Sequence, residues 1–334
     1  MRICVLEVMG VEVIRGESEL LLTAKKTEGG VVIRRALSAD RTAVLPKTLW
    51  GLPVTALEHH AFAPDRPAPE GETVRIACGP VSAEQPDNSH LEDVTLPPTL
   101  RRIGDYAFYN CTALKTLRMH DSVTDWGGLV FMNCRKLDTL FLQLTDERAR
   151  ALSYFADELS RELDVTLTDT RGSAARLIFP EYREHLDENY SAHHFDYTIT
   201  GGGYPYHHCF RDHVFTAVRF DMLWDKYLTT QHDQLTALRL AWWRLRQPWA
   251  LSAEAGKAYM TYLRDHGENA LAWLLEQRDT EGLNWLLGNV ALSREALSAG
   301  CELARQRNAA EAQALLLEQM HRLAPAGRRK TFDL

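Results

Sequence analysis

The stretch VTLPPTLRRIGDYAFYNCTALKTLRMHDSVTDWGGLVFMNCRKLDTLFL, residues 94–142, contains two copies of one pattern. Val94, Leu117 and Leu140 follow one another at intervals of 23 residues, and many other positions match at the same offset. A repeat of this length is typical of a solenoid, in which successive coils stack on one another. A solenoid is a binding architecture without chemistry of its own, so the repeat predicts a scaffold and no particular reaction.

Each copy predicts one short strand, because apolar residues alternate over the last positions of a recurring L-x-x-L/V-x-L/M segment. The segments that carry this pattern are Leu91–Leu96, Leu114–Met119 and Leu137–Leu142. A single strand cannot bury its apolar face. Coils stacked about 4.8 Å apart would bury Val94 on Leu117 on Leu140 and pair the backbones of successive strands.

Four further pairs recur at the same offset and are expected on the turn side of each coil: Gly104/Gly127, Phe108/Phe131, Asn110/Asn133 and Cys111/Cys134. We expect the phenylalanines to fill the turn and the glycines to adopt backbone angles that other residues avoid. The asparagines can bond the backbone of their own turns. The cysteines are interpreted as small buried thiols, with a disulfide or a metal pair as the alternative.

The repeat resembles the BspA-like leucine-rich repeat family, whose pattern V-x-L-P-x-x-L-x-x-I-G-x-x-A-F-x-x-C-x-x-L-x-x-L fits the first copy. Ala43–Phe62 resembles a first unit of that family, with Glu58 where the glycine is expected. The resemblance covers about residues 31–142. It implies a leucine-rich-repeat fold and a binding or adhesion module, and members of the family often occur on cell surfaces.

Composition excludes some classes of protein. The chain has 334 residues, 45% hydrophobic and 25% charged, and a formal net charge of −7, which argues against a general nucleic-acid binder. Its start lacks the apolar core of a secretory signal, no apolar run is long enough to cross a membrane, and the six cysteines show no framework spacing. We therefore expect a cytoplasmic protein with no membrane partner, and the family resemblance implies a bacterial one.

The predicted fold class is α+β, a short β-rich leucine-rich-repeat solenoid followed by an α-helical, ankyrin-like domain. The predicted parts are an N-terminal antiparallel β cap (1–42), the repeats (43–145), a capping helix with a mixed α/β connector (146–218), the helical array (219–324) and a disordered basic tail (325–334). The capping helix is predicted over Asp146–Leu163. An insertion at 63–90 holds a possible strand, Thr73–Cys78, and is either a degenerate coil or an excursion.

The connector contains FPEY, residues 179–182, and GGGYPYHHCF, residues 201–210. Both resemble a companion domain of bacterial proteins with this repeat, for which we know of no activity. Downstream, Asp233, Ser252 and Ser293 can begin helices, and Pro248 can end the first of them. That first helix places Leu235, Leu238, Trp242 and Leu245 on one face, and its tryptophans are expected to pack helices together. Leu303–Glu318 is similar to the helix pair of an ankyrin repeat.

A metal site is the weaker alternative in the connector. Its candidate ligands are His193, His194, His207, His208, Cys209 and His213, of which His207, Cys209 and His213 form the best set. Their spacing matches no established zinc signature, so structural or exposed histidines are preferred. Gly201–Gly203 is interpreted as a turn between strands rather than a phosphate cradle. The chain has no catalytic motif, and no catalytic residue or cofactor is predicted.

The predicted working surface is the open face of the strands: Asp93, Thr95, Thr116, Arg118, His120, Thr139, Phe141 and Gln143. Arg118 and Phe141 are of the types found in binding hot spots. We therefore predict a non-enzymatic scaffold that binds a protein partner through this face, the helical array or both. The alternatives are a metal-dependent or hydrolytic enzyme with a site in residues 170–215, and an exported surface adhesion module.

Overall fold

The computed structural model describes residues 6–8, 11–67, 69–79, 86–189 and 194–323. The architecture is α+β, and the chain divides into two compact units, Met1–His232 and Asp233–Leu334. The predicted tail and His193 lie outside the described residues. No helix of the described part is long and apolar enough to span a membrane.

The first unit contains all the strands and four short helices of the described chain. Its strands are β1 (Leu6–Val8), β2 (Val11–Arg15), β3 (Leu20–Thr27), β4 (Gly30–Ser38), β5 (Thr42–Val44), β6 (Thr48–Leu49), β7 (Leu52–Leu57), β8 (Glu72–Ala77), β9 (Asp93–Thr95), β10 (Arg102–Ile103), β11 (Thr116–His120), β12 (Asp125–Trp126), β13 (Thr139–Gln143), β14 (Leu163–Thr168), β15 (Ala174–Phe179), β16 (Arg183–Asn189), β17 (His194–Thr200), β18 (Phe210–Arg211) and β19 (Val214–Phe215). Its helices are α1 (Ala151–Glu158), α2 (Tyr204–His207), α3 (Ala217–Met222) and α4 (Trp224–Thr229).

One sheet carries the predicted repeat strands, in the order β15-β14-β13-β11-β9-β5. All its pairs are parallel except β14 with β15. Val94 lies opposite Leu117, which lies opposite Leu140, and all three are fully buried. The predicted stacking of the repeat is therefore confirmed. The antiparallel strand β15 ends the parallel ladder on one side.

Strand β5 forms the other edge of the ladder, and a side chain bonds to the outer backbone groups of this edge. Ser18 Oγ accepts from the Val44 backbone N–H at 2.9 Å and donates to the Val44 carbonyl at 3.5 Å. Exposed strand edges are templates for pairing with other chains. Ser18 therefore satisfies two of the backbone groups that this edge would otherwise present.

The second sheet has the order β1-β2-β8-β3-β4-β7-β10-β12, with β6 paired to β7. The pairs formed within the predicted cap, β1–β2 and β3–β4, are antiparallel as predicted. The whole sheet is mixed, because β4 pairs in parallel with β7 and β2 pairs in parallel with β8. The insertion supplies β8, which lies between β2 and β3. The insertion is therefore an excursion that adds a strand to the cap, and not a degenerate coil.

The turn sides of the coils form a column of aromatic rings. Phe62 stacks on Phe108 with centroids 4.7 Å apart, Phe108 on Phe131 at 5.6 Å, and Phe131 on Phe155 of α1 at 4.7 Å. Helix α1 thus takes the place of the next turn, as predicted for a capping helix. It is shorter than the predicted Asp146–Leu163, since the chain enters β14 at Leu163.

The repeated cysteines are buried and free, which confirms the interpretation as small thiols. Cys111 Sγ donates to the Phe62 carbonyl at 3.4 Å, and Cys134 Sγ donates to the Phe108 carbonyl at 3.1 Å. Burial raises the pKa of both thiols, that of Cys134 to about 12. Each thiol therefore stays protonated and links its coil to the preceding one.

The repeated glycines have a different role from the one predicted. Neither Gly104 nor Gly127 has a positive φ. A Cβ on Gly104 would lie 2.7 Å from the His59 nitrogen, and one on Gly127 would lie 2.2 Å from the Asp105 nitrogen. Backbone close approach between coils, and not an unusual backbone angle, is what requires glycine here.

Glu58 occupies the glycine position of the first coil, and its backbone N–H donates to the Ile33 carbonyl at 2.8 Å. Gly104 and Gly127 make the same bond to Leu57 and Ile103 at 2.9 and 2.7 Å. The element on which Glu58 stacks is β4, which continues as a strand to Ser38 where a coil would turn. We infer that this leaves room for a side chain, and Glu58 Oε2 accepts from Arg34 Nε at 2.6 Å.

The asparagines also differ from the prediction. Asn110 and Asn133 have left-handed φ values of 61° and 67°, which asparagine tolerates better than most residues. The Asn133 side-chain amide donates to the Asn110 side-chain oxygen, and the Asn110 amide donates to Asp65 Oδ2 at 3.1 Å. Their side chains therefore link successive coils, whereas the prediction was a bond to the backbone of their own turn.

The connector closes this end of the unit with an aromatic cluster. Phe179 packs against Phe215 and Phe220, with centroids 6.2 and 5.4 Å away, and Tyr206 packs against Phe220 and Tyr227 at 4.7 and 5.5 Å. These contacts hold α3 and α4 on the first unit. The compact unit consequently extends to His232, past residue 219, at which the helical array was predicted to begin.

The second unit is helical throughout its described part. Its helices are α5 (Gln234–Arg246), α6 (Ala253–Asp265), α7 (Gly267–Gln277), α8 (Thr280–Asn289), α9 (Arg294–Gln306) and α10 (Ala310–Arg322). Asp233, Ser252 and Ser293 accept N-terminal backbone N–H groups, which confirms the three predicted caps. Leu235 was predicted on the buried face of α5 but is 48% exposed, since it lies in the first turn.

The predicted packing role of the tryptophans is confirmed for the central one. Trp242 is fully buried, and its ring lies 5.8 Å from that of Trp273 and 5.3 Å from that of Trp285. The Arg246 guanidinium lies 5.4 Å from the Trp285 ring and pairs with Glu281 at 3.1 Å. These rings join three helices into one core.

Candidate functional site

The predicted surface residues lie on one face of the sheet β15-β14-β13-β11-β9-β5. In β11 and β13 the residues between them, Leu117, Met119, Leu140 and Leu142, are buried in the core, so the strands have one buried and one open face. The open positions are each half-buried: Asp93, Thr95, Thr116, Arg118, His120, Thr139, Phe141 and Gln143. The structure thus brings all eight together, and their use in binding stays a prediction.

The strand register arranges the open face in rows that run across the strands. The first row is Thr42, Asp93, Thr116, Thr139 and Asp164, and it ends at Ile178 of β15, which is fully buried. The second row is Val44, Thr95, Arg118, Phe141, Thr166 and Arg176. The third row is His120, Gln143, Thr168 and Ala174. The face is therefore wider than the eight predicted residues.

Arg118 is held in place by two neighbours. Its Nε and Nη2 donate to Asp93 Oδ2 at 3.3 and 3.2 Å, and its guanidinium carbon lies 4.0 Å from the centroid of Phe141. A guanidinium has five N–H donors, so the two bonds to Asp93 leave donors for a partner. The two predicted hot-spot residues therefore form one preorganised unit.

A shallow depression of about 160 Å³ lies beside this unit. Its open-face lining is Thr95, Arg118, His120, Phe141, Gln143 and Thr168. Gln143 Nε2 donates to the carbonyls of Thr168 and Asp169 at 3.2 and 3.0 Å, which fixes that side chain. Burial lowers the pKa of His120, and the nearby Lys47 lowers it further. The imidazole is therefore neutral at pH 7.

Sequence reasoning missed the extension of this face onto β14 and β15. Arg176 forms a two-pronged ion pair with Asp164, with Nε–Oδ1 and Nη2–Oδ2 distances of 2.7 and 2.6 Å. The pairing of β14 with β13 and with β15 was not predicted. The alternation in Leu163–Thr168, which matches that in Thr139–Gln143, is the signal that could have placed Thr166 and Thr168 on the face.

The histidine region has a different arrangement from a metal site. His207 is fully buried, and its Nδ1 and Nε2 lie 3.0 Å from the carbonyl oxygens of Ala156 and Pro180. Burial lowers the pKa of His207, although bonds to two carbonyls favour its protonated form. Both nitrogens face backbone acceptors, so neither is directed at a ligand.

The other two residues of the best metal set lie in separate environments. Cys209 is buried, and burial raises the pKa of its thiol far above the usual range. His213 is exposed, lies 2.9 Å through Nδ1 from Ser153 Oγ, and stacks on Tyr154 at 5.0 Å. Within the described ranges, no group of three or more His, Cys, Asp or Glu side chains is placed to hold a metal ion.

The glycines of the GGGYPY segment are explained by packing. They connect β17 to α2, a strand to a short helix, where the prediction was a turn between strands. Gly201 has a φ of 88°, and a Cβ on Gly203 would lie 2.0 Å from the Pro180 carbonyl oxygen. Pro205, in the first turn of α2, has no N–H to donate. The segment therefore offers a close backbone approach rather than a phosphate cradle.

Comparison with known families finds a match in the repeat region. Residues 85–157 match the family model described as the BspA type leucine rich repeat region, in six copies. This part of the chain is similar to BspA-type leucine-rich repeats. The match begins at residue 85, later than the predicted residue 31 and near the end of the insertion that carries β8. It spans less than half of the chain and does not include the helical unit.

Two solved structures show weak similarity. A leucine rich cell surface protein from Faecalibacterium prausnitzii A2-165 is 20% identical with a TM-score of 0.25, over 39% of this chain and 32% of that one. A leucine rich repeat protein from T. pallidum is 20% identical with a TM-score of 0.22, over 36% of this chain and 68% of that one. Neither similarity is close enough to support an argument. No curated protein matches the chain significantly.

Proposed function

We propose that the protein is a non-enzymatic scaffold that binds a protein partner through the open face of the sheet β15-β14-β13-β11-β9-β5. The observation that carries the proposal is the Arg118–Phe141 unit at the centre of this face, fixed by Asp93 beside a depression. Arginine and aromatic side chains dominate binding energy at protein interfaces. A family match to BspA-type repeats supports an interaction role, because such repeats are generally non-enzymatic.

The parallel ladder supports low-cost recognition. Successive strands pair in register, and the coils beneath them are joined by stacked aromatic rings and by thiol–carbonyl hydrogen bonds. The face is therefore formed before a partner arrives. Binding to a preformed surface loses less conformational entropy than binding that must order a loop. We propose a cytoplasmic location, in keeping with the free cysteines Cys78, Cys111, Cys134, Cys209 and Cys301.

The test is capture of partners from a lysate of the source cells, with identification by mass spectrometry. The double variant Arg118→Glu, Phe141→Ala removes the central unit. The matched control, Arg135→Glu, Met132→Ala, changes an arginine and an apolar residue in the same way on the turn side, where both residues are exposed. We expect the control to retain the wild-type partner and the double variant to lose it. Equal capture by both variants would contradict the assignment of this face.

The helical unit is the second candidate surface, and we propose that it is ankyrin-like. Helix α7 packs on α9 and α8 on α10, so two helical hairpins stack side by side. Arg278 is the C-cap of α7 and Asn308 is the residue after the C-cap of α9, and both have a left-handed φ of 54°. A cavity of about 670 Å³ opens between the hairpin tips. If the sheet face proves dispensable, variants at Arg278 and Arg307 in this cavity are the next to compare.

A further inference from the structure

The charges of the open face are separated along the strands. Its two carboxylates, Asp93 and Asp164, both lie in the first row. Its two arginines, Arg118 and Arg176, lie in the second row, and His120 lies in the third. Every position of the second and third rows belongs to the described part of the chain, and none of them is Asp or Glu. The second and third rows therefore carry two arginines and no carboxylate.

The ion pair with Asp93 does not use every donor of Arg118. Arg118 uses Nε and Nη2 toward Asp93, which lies on the first-row side, and its other N–H groups remain as donors. Lys47 is close enough to His120 to lower the pKa of that imidazole, so the surroundings of the depression are electropositive. A region of this kind favours an anion, although the whole chain has a net charge of −7.

The depression also has an apolar wall. Phe141 is half-buried with one face under the Arg118 guanidinium, and the backbone beside it is that of the core strands. Thr95 and Thr168 line the rest with short side chains. A ligand that combined a carboxylate with an adjacent apolar group would match the Arg118 guanidinium and the ring together.

We propose that this depression binds an acidic side chain, Glu or Asp, of an extended segment of the partner protein. The carboxylate lies on Arg118 and His120, and an apolar neighbour in the segment packs on Phe141. This inference rests on the proposed function and adds the chemistry of the partner. Arginine recognises carboxylates by charge-assisted hydrogen bonds, which are stronger than neutral ones.

The experiment uses the full chain and fluorescein-labelled heptapeptides with blocked termini. The acidic probe alternates Val and Glu, and the two comparison probes carry Gln or Lys in place of Glu. Anisotropy titration at about 0.15 M salt is expected to give an affinity for the Glu probe about tenfold above that for the Gln probe, with no binding of the Lys probe. Loss of one charge-assisted bond corresponds to about that factor.

Variants locate the site. Arg118→Gln is expected to bring the Glu probe to the affinity of the Gln probe. Arg102→Gln is the matched control, because Arg102 is an exposed arginine that pairs with Asp125 on the other sheet. A Gln or Lys probe that binds as well as the Glu probe overturns the proposal, as do absent binding of all probes and an Arg118→Gln variant that behaves like Arg102→Gln.

A further probe tests whether the bound carboxylate belongs to a side chain or to the end of a chain. The Gln probe is made with a free C-terminus; tight binding of this probe, lost in Arg118→Gln, would overturn the assignment to a side chain in favour of a chain end. A negative result with the peptides does not change the interpretation of the capture experiment. Loss of the cellular partner from Arg118→Glu, Phe141→Ala without any preference for Glu would retain the face and refute only its chemistry.

Discussion

The stacking of the coils depends on two backbones that come too close for any side chain. Gly127 shows this best, because a Cβ there would lie 2.2 Å from the Asp105 nitrogen and 2.5 Å from the Gly104 carbonyl carbon. The neighbouring Gly128 is different, since the nearest atom to its Cβ would be Asp105 Oδ1 at 4.0 Å, an ordinary contact. Neither glycine has a positive φ, so alanine is compatible with the backbone angles at both. The pair Gly127→Ala and Gly128→Ala therefore isolates the effect of close approach.

The two substitutions are expected to change the free energy of unfolding in opposite directions. Forcing a methyl group into a packed contact costs about 1–3 kcal/mol of unfolding free energy, and the upper end applies where backbone is the obstacle. The obstacle at Gly127 is held in place, because the Gly127 N–H donates to the Ile103 carbonyl at 2.7 Å. Gly128→Ala restricts the unfolded chain and is expected to stabilise by about 0.4–1 kcal/mol. The two variants should therefore differ by about 2–4 kcal/mol.

Urea unfolding followed by circular dichroism measures the difference, together with hydrogen exchange of the amides in residues 94–142. The exchange measurement is needed because the chain has two compact units, which can unfold separately. Faster exchange confined to the repeat amides of Gly127→Ala is the expected result. If Gly127→Ala is as stable as Gly128→Ala, the coils do not depend on this approach and the glycine is explained by something else.

Two other perturbations test the core and the connector. Phe108→Ala opens the column between Phe62 and Phe131 and is expected to cost about 3–5 kcal/mol in urea unfolding; a cost below about 1 kcal/mol would show that the coils can collapse onto the gap. His207 has a pKa lowered by burial, so its contribution to stability is present above its ordinary pKa and is lost as the pH falls through the folded value. The stability difference between wild type and His207→Gln should therefore shrink between pH 7.5 and pH 5. A difference that widens on acidification would mean that a protonated His207 bridges the carbonyls of Ala156 and Pro180.

The sequence predicted the repeat well because the repeat is local. Alternation in segments such as Thr116–His120 specifies strand, face and register together, since a slip of one residue would turn Leu117 to solvent. The eight candidate surface residues followed from that alternation alone. Helix caps such as Asp233 were equally accessible, because a cap is defined by its own side chain and the next three residues.

Other features depended on residues distant in sequence. The place of β8 between β2 and β3 is set by pairing partners far along the chain, which an apolar run does not reveal. The role of Gly104 was misread because glycine can supply either backbone freedom or space, and only the neighbouring coil decides which. Likewise, the Arg176–Asp164 pair on the candidate face required knowing that β14 and β15 form a hairpin on the repeat sheet.

Glu58 fixes the direction in which this array could have grown. A coil placed ahead of it would bring a turn of backbone to where its Cβ now lies, as happens at Gly104 and Gly127, so a duplication inserted upstream would also need glycine at position 58. A duplication of residues 94–116 would carry its own glycine and could be added without other change. New coils can therefore be inserted after the first coil but not ahead of it. Comparison of coil number among related chains should show length differences after position 58.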